Sequence, residues 1–241
     1  MNAAPAWRWC LAAGLVAFLC SWGFGRIPDL QACGETGGMG PILAFEFART
    51  PAEVARLFGA EPCRSTLIGA QRVGLWLDAL GFIPAYTAFL GFAAWATGRQ
   101  FRRVLIGILV TAALLDQIEG VLLWRTLVAL PGDQATLTAL GWAVHGKFLL
   151  LALGTLGIAL SLITTGWRAI PIAFALVIGT GAEVALANLF GGPSPRMMTG
   201  FTIAWVALLA CAAIGAVWPR LLAPPASSAS APQRLSASAS S

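Results

Sequence analysis

Lysine, histidine and tyrosine each occur once in this chain of 241 residues, as Lys147, His145 and Tyr86. Charge of either sign is scarce, with Asp, Glu, Lys and Arg at 10% against 58% hydrophobic residues. An ordinary soluble domain carries about 25% charged residues, so that class is excluded. The net charge of +5 comes from arginine. The arginines are dispersed, and no basic run exceeds Arg102-Arg103, so no nucleic-acid surface is expected. The five cysteines form no CxxC pair, which excludes redox chemistry of the thioredoxin kind. HExxH, a nucleophile elbow and a Gly-rich phosphate loop are all missing. No second histidine or cysteine stands at ligand spacing from His145, so neither a metal nor another cofactor is predicted.

What the chain has in abundance is long apolar sequence. Its mean hydropathy is +0.80. Apolar runs cover 7–25, 73–97, 104–130, 136–165, 169–190 and 200–218, each near the ~20 residues a spanning helix needs. The predicted fold class is all-α: a polytopic integral membrane protein built as a six-transmembrane-helix bundle. It has a long extracytoplasmic loop, 26–72, bearing short interfacial helices. Residues 1–222 form one membrane domain. The 223–241 tail is Ala, Ser and Pro with one arginine, too poor in apolar side chains to build a core, and is expected to be disordered. The first run competes with a cleaved signal peptide. It is long for a signal core, and Gly23-Phe24-Gly25 is a poor cleavage site, so an uncleaved helix is expected.

Orientation follows from charge. Arg99, Arg102 and Arg103 crowd one short connection between apolar runs, which places it in the cytoplasm under the positive-inside rule. Both termini then lie inside, with Arg8, Arg168, Arg220 and Arg234. Trp95, Trp167 and Trp218 form the inner aromatic belt, and Trp22 and Trp76 the outer one. The Arg-over-Lys bias with abundant Ala and Gly points to a high-GC bacterial genome, hence an inner membrane. In the long loop, Thr50-Pro51-Ala52-Glu53 is a capping box with Pro at the first helical position. It starts a short helix that Gly59 ends. Residues 42–49, ILAFEFAR, form a second one, and both are expected to lie on the membrane face. Cys33 and Cys63 share this loop, and an oxidising compartment would join them.

Polar residues inside the apolar runs are the functional candidates, because burying a charge in a bilayer is costly. Asp116 and Glu119 are three apart and share one helix face within ~60°. Arg125 points the other way and snorkels to the interface. Asp78 precedes Pro84, which frees a carbonyl near residue 80 and bends the helix. At ~1.5 Å per residue, Asp78, Asp116, Glu119, His145, Lys147 and Glu183 all fall between the outer interface and the midplane. Tyr86 lies on a face near that of Asp78. Lys147 is the natural partner of the Asp116/Glu119 face. His145 lies ~160° round the helix from Lys147, so the two cannot both point into one cavity. Glu46 and the 42–49 segment are placed to lid that cavity.

Carboxylates outnumber the lysine, so a proton or a cationic ligand must balance the layer. Three functions fit. The first is binding or translocation of a small cationic or amphiphilic ligand or a proton. The second is a membrane enzyme acting on a lipid or isoprenoid head group by acid–base chemistry. The third is an accessory membrane protein whose polar layer only holds helices together. The expected partners are the lipid bilayer and a small cationic or amphiphilic ligand. The combination of Phe45-Glu46, Ala48-Arg49-Thr50-Pro51, Leu77-Asp78, Pro84-Ala85-Tyr86 and Asp116-x-x-Glu119 resembles bacterial multi-pass membrane proteins.

Overall fold

The computed structural model describes residues 3–97, 101–164, 169–190 and 194–222, and every regular element in them is helical. The elements are α1 (Ala3–Phe24), α2 (Pro41–Glu46), α3 (Pro51–Phe58), α4 (Cys63–Leu77), a π-helical turn (Asp78–Phe82) and α5 (Ile83–Thr97). Then follow α6 (Arg102–Val128), α7 (Gln134–Thr164), α8 (Ala169–Leu189), α9 (Pro195–Val217) and a short α10 (Pro219–Leu222). Among the described residues, six helices are long and apolar enough to cross a membrane: α1, the continuous α4–π–α5 rod, α6, α7, α8 and α9. Arg99, Arg168, Trp167 and the 223–241 tail lie outside the described residues.

Short connections make successive long helices antiparallel neighbours, α6 on α7, α7 on α8 and α8 on α9, while α1 packs on α5 and α9. Small residues set the closest approaches. A methyl group on Gly181 of α8 would stand 2.7 Å from the Gly200 carbonyl oxygen, and one on Gly200 of α9 would stand 2.5 Å from the Gly181 carbonyl oxygen. The two backbones therefore touch. The indole of Trp7 lies against Gly215, 2.5 Å from where a Cβ there would sit. That contact buries Trp7. Trp9, Trp22, Trp76 and Trp218 remain exposed.

The rod differs from expectation at its start. The helix begins at Cys63, not at residue 73, and runs 35 residues to Thr97. At ~1.5 Å rise per residue it spans about 52 Å, well beyond a ~30 Å hydrocarbon layer. Hydropathy marks only the apolar part of the rod. The 63–72 stretch carries Arg64, Gln71 and Arg72, yet it buries Leu67, Ala70 and Gln71 and stays helical.

Of the two short helices of the long loop, α3 starts where its capping box says, while α2 ends at Glu46, short of the expected 42–49, and has no side-chain cap. Pro41 and Pro51 each open a helix, and Thr50 Oγ1 accepts from the Glu53 N–H at 3.2 Å while Glu53 returns to the Thr50 N–H at 3.1 Å. Gly59 ends α3 at φ 57°. Both pack on the bundle. Phe45, Glu46, Phe47, Val54, Leu57 and Phe58 are buried against it, so the segment caps the bundle. An amphipathic pattern names an apolar face but not whether lipid or protein covers it. The Cys33–Cys63 disulfide, with Cα atoms 6.0 Å apart, ties the cap to the head of α4. Arg64 Nε donates to the Gly59 carbonyl at 2.9 Å beside it.

Candidate functional site

The ammonium of Lys147, on α7, sits at the centre of the bundle beneath the cap. Its Nζ donates to Glu119 Oε1 at 2.8 Å and Asp116 Oδ1 at 2.9 Å, both on α6, and to Glu46 Oε2 at 3.2 Å, on α2. Asp116 and Glu119 lie three residues apart and so reach one cation from one helix face. All four residues are buried, Lys147 with 4% and Glu119 with 1% of its surface exposed. The Tyr86 hydroxyl, from α5, donates to the other oxygen of Asp116 at 2.8 Å. The second oxygen of Glu119 is buried with no hydrogen-bond partner among the described residues.

The rod places Asp78 beside this cluster. Pro84 has no N–H to give, so a straight α-helix would leave a carbonyl one turn earlier unbonded. The chain absorbs this as a π-turn, in which the Ile83 N–H reaches back five residues to the Asp78 carbonyl. Gln117 of α6 donates its side-chain amide to the Ala79 carbonyl at 2.9 Å. The result is a locally widened helix with Asp78 at its start, a feature frequent at functional sites. Asp78 is half-buried and within electrostatic range of Asp116, Lys147 and Glu46. Among the described residues it makes no ion pair.

Asp78, Tyr86, Asp116, Lys147 and Glu46 form the polar end of a cavity of about 430 Å³. The remaining wall is largely apolar, with Phe18, Phe82, Phe148, Leu151, Phe201 and Trp205 prominent. The Trp205 indole lies 5.7 Å from the Tyr86 ring and 6.0 Å from that of Phe201. A roof of Gly40, Pro41, Ile42 and Leu43 closes the end nearest the cap. Gln71 holds that roof down by donating to the Pro41 carbonyl at 3.0 Å.

Six of the eight predicted ligand residues thus meet: Glu46, Asp78, Tyr86, Asp116, Glu119 and Lys147. His145 and Glu183 do not. The Nδ1 of His145 is 2.8 Å from the Gly141 carbonyl of its own helix, and its ring lies against Phe47 and Phe190. It faces a separate, more open hollow of about 690 Å³ with Arg49, Glu53 and Arg56. Two residues along a helix is ~160° in direction, so Lys147 took the inner face and His145 a lateral one. Glu183 is exposed on the outside of α8. The face of α8 that meets its neighbours is set by Gly181, Ala182 and Ala185, and Glu183 falls off it. Among the described residues no group of His, Cys, Asp or Glu is arranged to hold a metal ion.

Sequence reasoning missed Gln71, Gln117, Trp205 and Arg49. The glutamines are polar residues within or beside an apolar run, and that signal was available. Arg49 sits on the 47–50 turn and bonds the Glu46 and Ala48 carbonyls at 2.8 and 3.0 Å. Burial pulls its guanidinium below the usual arginine range, opposed by the charges of Glu119, Glu53 and Glu46. It fastens the turn that carries Glu46 to the cluster. Comparison with protein-family models, with curated proteins and with solved structures finds no match to this chain.

Proposed function

We propose that the protein is a membrane protein that binds a small amphiphile with a cationic head, its chain in the aromatic-lined cavity and its head against Asp78. One observation carries the reading. Three carboxylates already share Lys147, and Asp78, a fourth, opens onto the cavity with no ion-pair partner among the described residues. A buried or half-buried acid excess requires positive charge. The largely apolar wall makes a bare inorganic cation a poor complement and an alkylated amine a good one. Orientation follows the arginine distribution. Arg102 and Arg103, beside a short connection, lie with Arg8 and Arg220 at the end opposite the cap. The long loop carries five arginines of its own, but long loops weigh less in the positive-inside rule, so the distribution supports cytoplasmic termini and a cap facing away from the cytoplasm in a bacterial inner membrane.

The test uses the full chain in phosphatidylglycerol nanodiscs and dodecyltrimethylammonium as probe. Dodecyl sulfate and dodecanol serve as equal-length controls. At a probe concentration 100 times Kd, binding adds about 2.7 kcal/mol of stability. A thermal shift with the cationic probe alone, lost in Asp78→Asn, supports the reading. Equal shifts with all three probes, or none in the wild type, overturn it.

A further inference from the structure

The cavity has a roof and an open side. Above it, the Gln71–Pro41 bond, the Cys33–Cys63 disulfide and the Glu46–Lys147 pair hold the cap in place. At its side, Ser21 of α1 and Thr202 of α9 both line the cavity and both are exposed. Phe18 and Met198, also in the wall, are half-buried behind them. The contacts that bind α1 to α9 lie toward the opposite end, where Trp7 covers Gly215 and Gly14 meets Leu209. Over its half nearest the cap, α1 leans on the rod instead. Cys20 Sγ is 3.0 Å from where a Gly81 Cβ would sit, Gly23 meets Leu77, and Phe24 packs edge-on against Phe82 with ring centroids 5.8 Å apart. The cap bridges the top of the gap where Gly38 approaches Pro195, 3.7 Å from a Gly38 Cβ position to Cγ. These contacts frame a window on three sides, with its sill at the α1–α9 crossing.

We propose that the cavity loads sideways from the bilayer leaflet on the cap side, through the window between α1 and α9, and that its ligand is a single-chain amphiphile resident in that leaflet. This rests on the reading given under Proposed function and narrows its ligand class. A water-borne solute would have to pass the cross-linked roof, whereas a lipid-borne one meets the window directly. The window's rim offers hydroxyls at Ser21 and Thr202, which suit a polar head sliding past while its tail stays in apolar surroundings. A volume of about 430 Å³ sits at the low end of pockets holding one drug-sized molecule, about 300–1,000 Å³. That accommodates one alkyl chain and a compact head, not a two-chain lipid.

The test reads quenching of Trp205 by an alkyltrimethylammonium probe brominated along its chain, delivered from vesicles to the protein in nanodiscs. The Trp205→Phe variant identifies the cavity component of the signal. Two independent blocks narrow the window: the double variant Ser21→Phe/Thr202→Phe, and Ser21→Cys in a Cys20→Ala background, labelled with a bulky maleimide after folding. The labelled sample removes any question of folding, because its unlabelled form is the control. A tenfold or greater fall in loading rate with an unchanged final amplitude supports the window. An unchanged rate in both blocked forms overturns it, as does faster loading after reduction of Cys33–Cys63 with the window blocked. Absence of Trp205-dependent quenching in the wild type is a different failure. It removes the bound amphiphile itself, and the window with it.

Discussion

Replacing Lys147 with methionine is the sharpest perturbation of the cluster, because one side chain serves three acids. Its ammonium lies 2.8, 2.9 and 3.2 Å from Glu119, Asp116 and Glu46, and all four groups are buried. Methionine keeps roughly the length and the apolar stem, while the charge, and with it the ammonium's place 4.7 Å over the Phe148 ring, is lost. Removing one partner of a buried ion pair costs about 3–5 kcal/mol, because the other charge stays buried without compensation. Here three acids are stranded, so the upper part of that range is expected. For a chain of this length each kcal/mol moves Tm by about 2–4 °C, so about 4–5 kcal/mol gives a fall of about 8–20 °C. The assay is thermal unfolding in nanodiscs at neutral pH. It is repeated with Lys147→Met/Glu119→Gln and Lys147→Met/Asp116→Asn. Each added neutral acid should restore part of the loss, since it removes a stranded charge, and the coupling energy should exceed 0.5 kcal/mol, the range for groups in one network. An unchanged Tm for Lys147→Met, or strictly additive double variants, would show that the cluster is not a shared charge network.

Tyr86→Phe deletes one hydrogen bond to the Asp116 carboxylate. A bond to a charged group is worth about 1.5–3 kcal/mol, and the same unfolding assay should show it, with cationic-probe binding weakened as well. Glu46→Gln loosens the cap on Lys147. In an Asp78→Cys background it should speed labelling by a membrane-impermeant thiol reagent, and equal labelling rates would remove Glu46 from the lid. Gly200→Ala places a methyl group 2.5 Å from the Gly181 carbonyl oxygen and 2.6 Å from the Ala185 nitrogen. Overpacking of that kind costs about 1–3 kcal/mol, visible as a lower Tm without change at the site. Asp133, in the α6–α7 connection, accepts from the Thr136 N–H at 2.8 Å and the Thr136 hydroxyl at 2.7 Å, and these bonds hold its carboxyl below the usual range. Because the folded-state value is depressed, the stabilisation is full above the unfolded value of about 3.9 and is lost as pH falls through the folded value. The Tm gap between wild type and Asp133→Ala should therefore be present at pH 7 and close in strong acid.

How much of this could be read from sequence depended on whether a residue's direction was fixed by something local. The six long helices were legible because each is a long apolar run of spanning length, which hydropathy counts directly. The α3 start was legible because a cap is chemistry within four residues, as at Thr50 and Glu53. The meeting of Asp116, Glu119 and Lys147 was legible because a three-residue spacing puts two acids on one face, and a lone lysine in the same layer is their cheapest partner. Depth alone could not do the same for His145 and Glu183. Both share the layer, but depth fixes position along a helix axis and says nothing of direction around it. For a helix apolar on every side, such as α8, no stripe of polarity marks the face that meets protein. The small residues do. Gly181, Ala182 and Ala185 recur at three- and four-residue spacing and mark where α8 can approach a neighbour's backbone. Glu183 lies between them in sequence and off that line in space. Within a bilayer, then, the pattern of glycine and alanine carries the facing information that apolar periodicity carries in a soluble helix, and a buried charge is credible as part of a site only when it falls on that small-residue face or points across a cavity beside it.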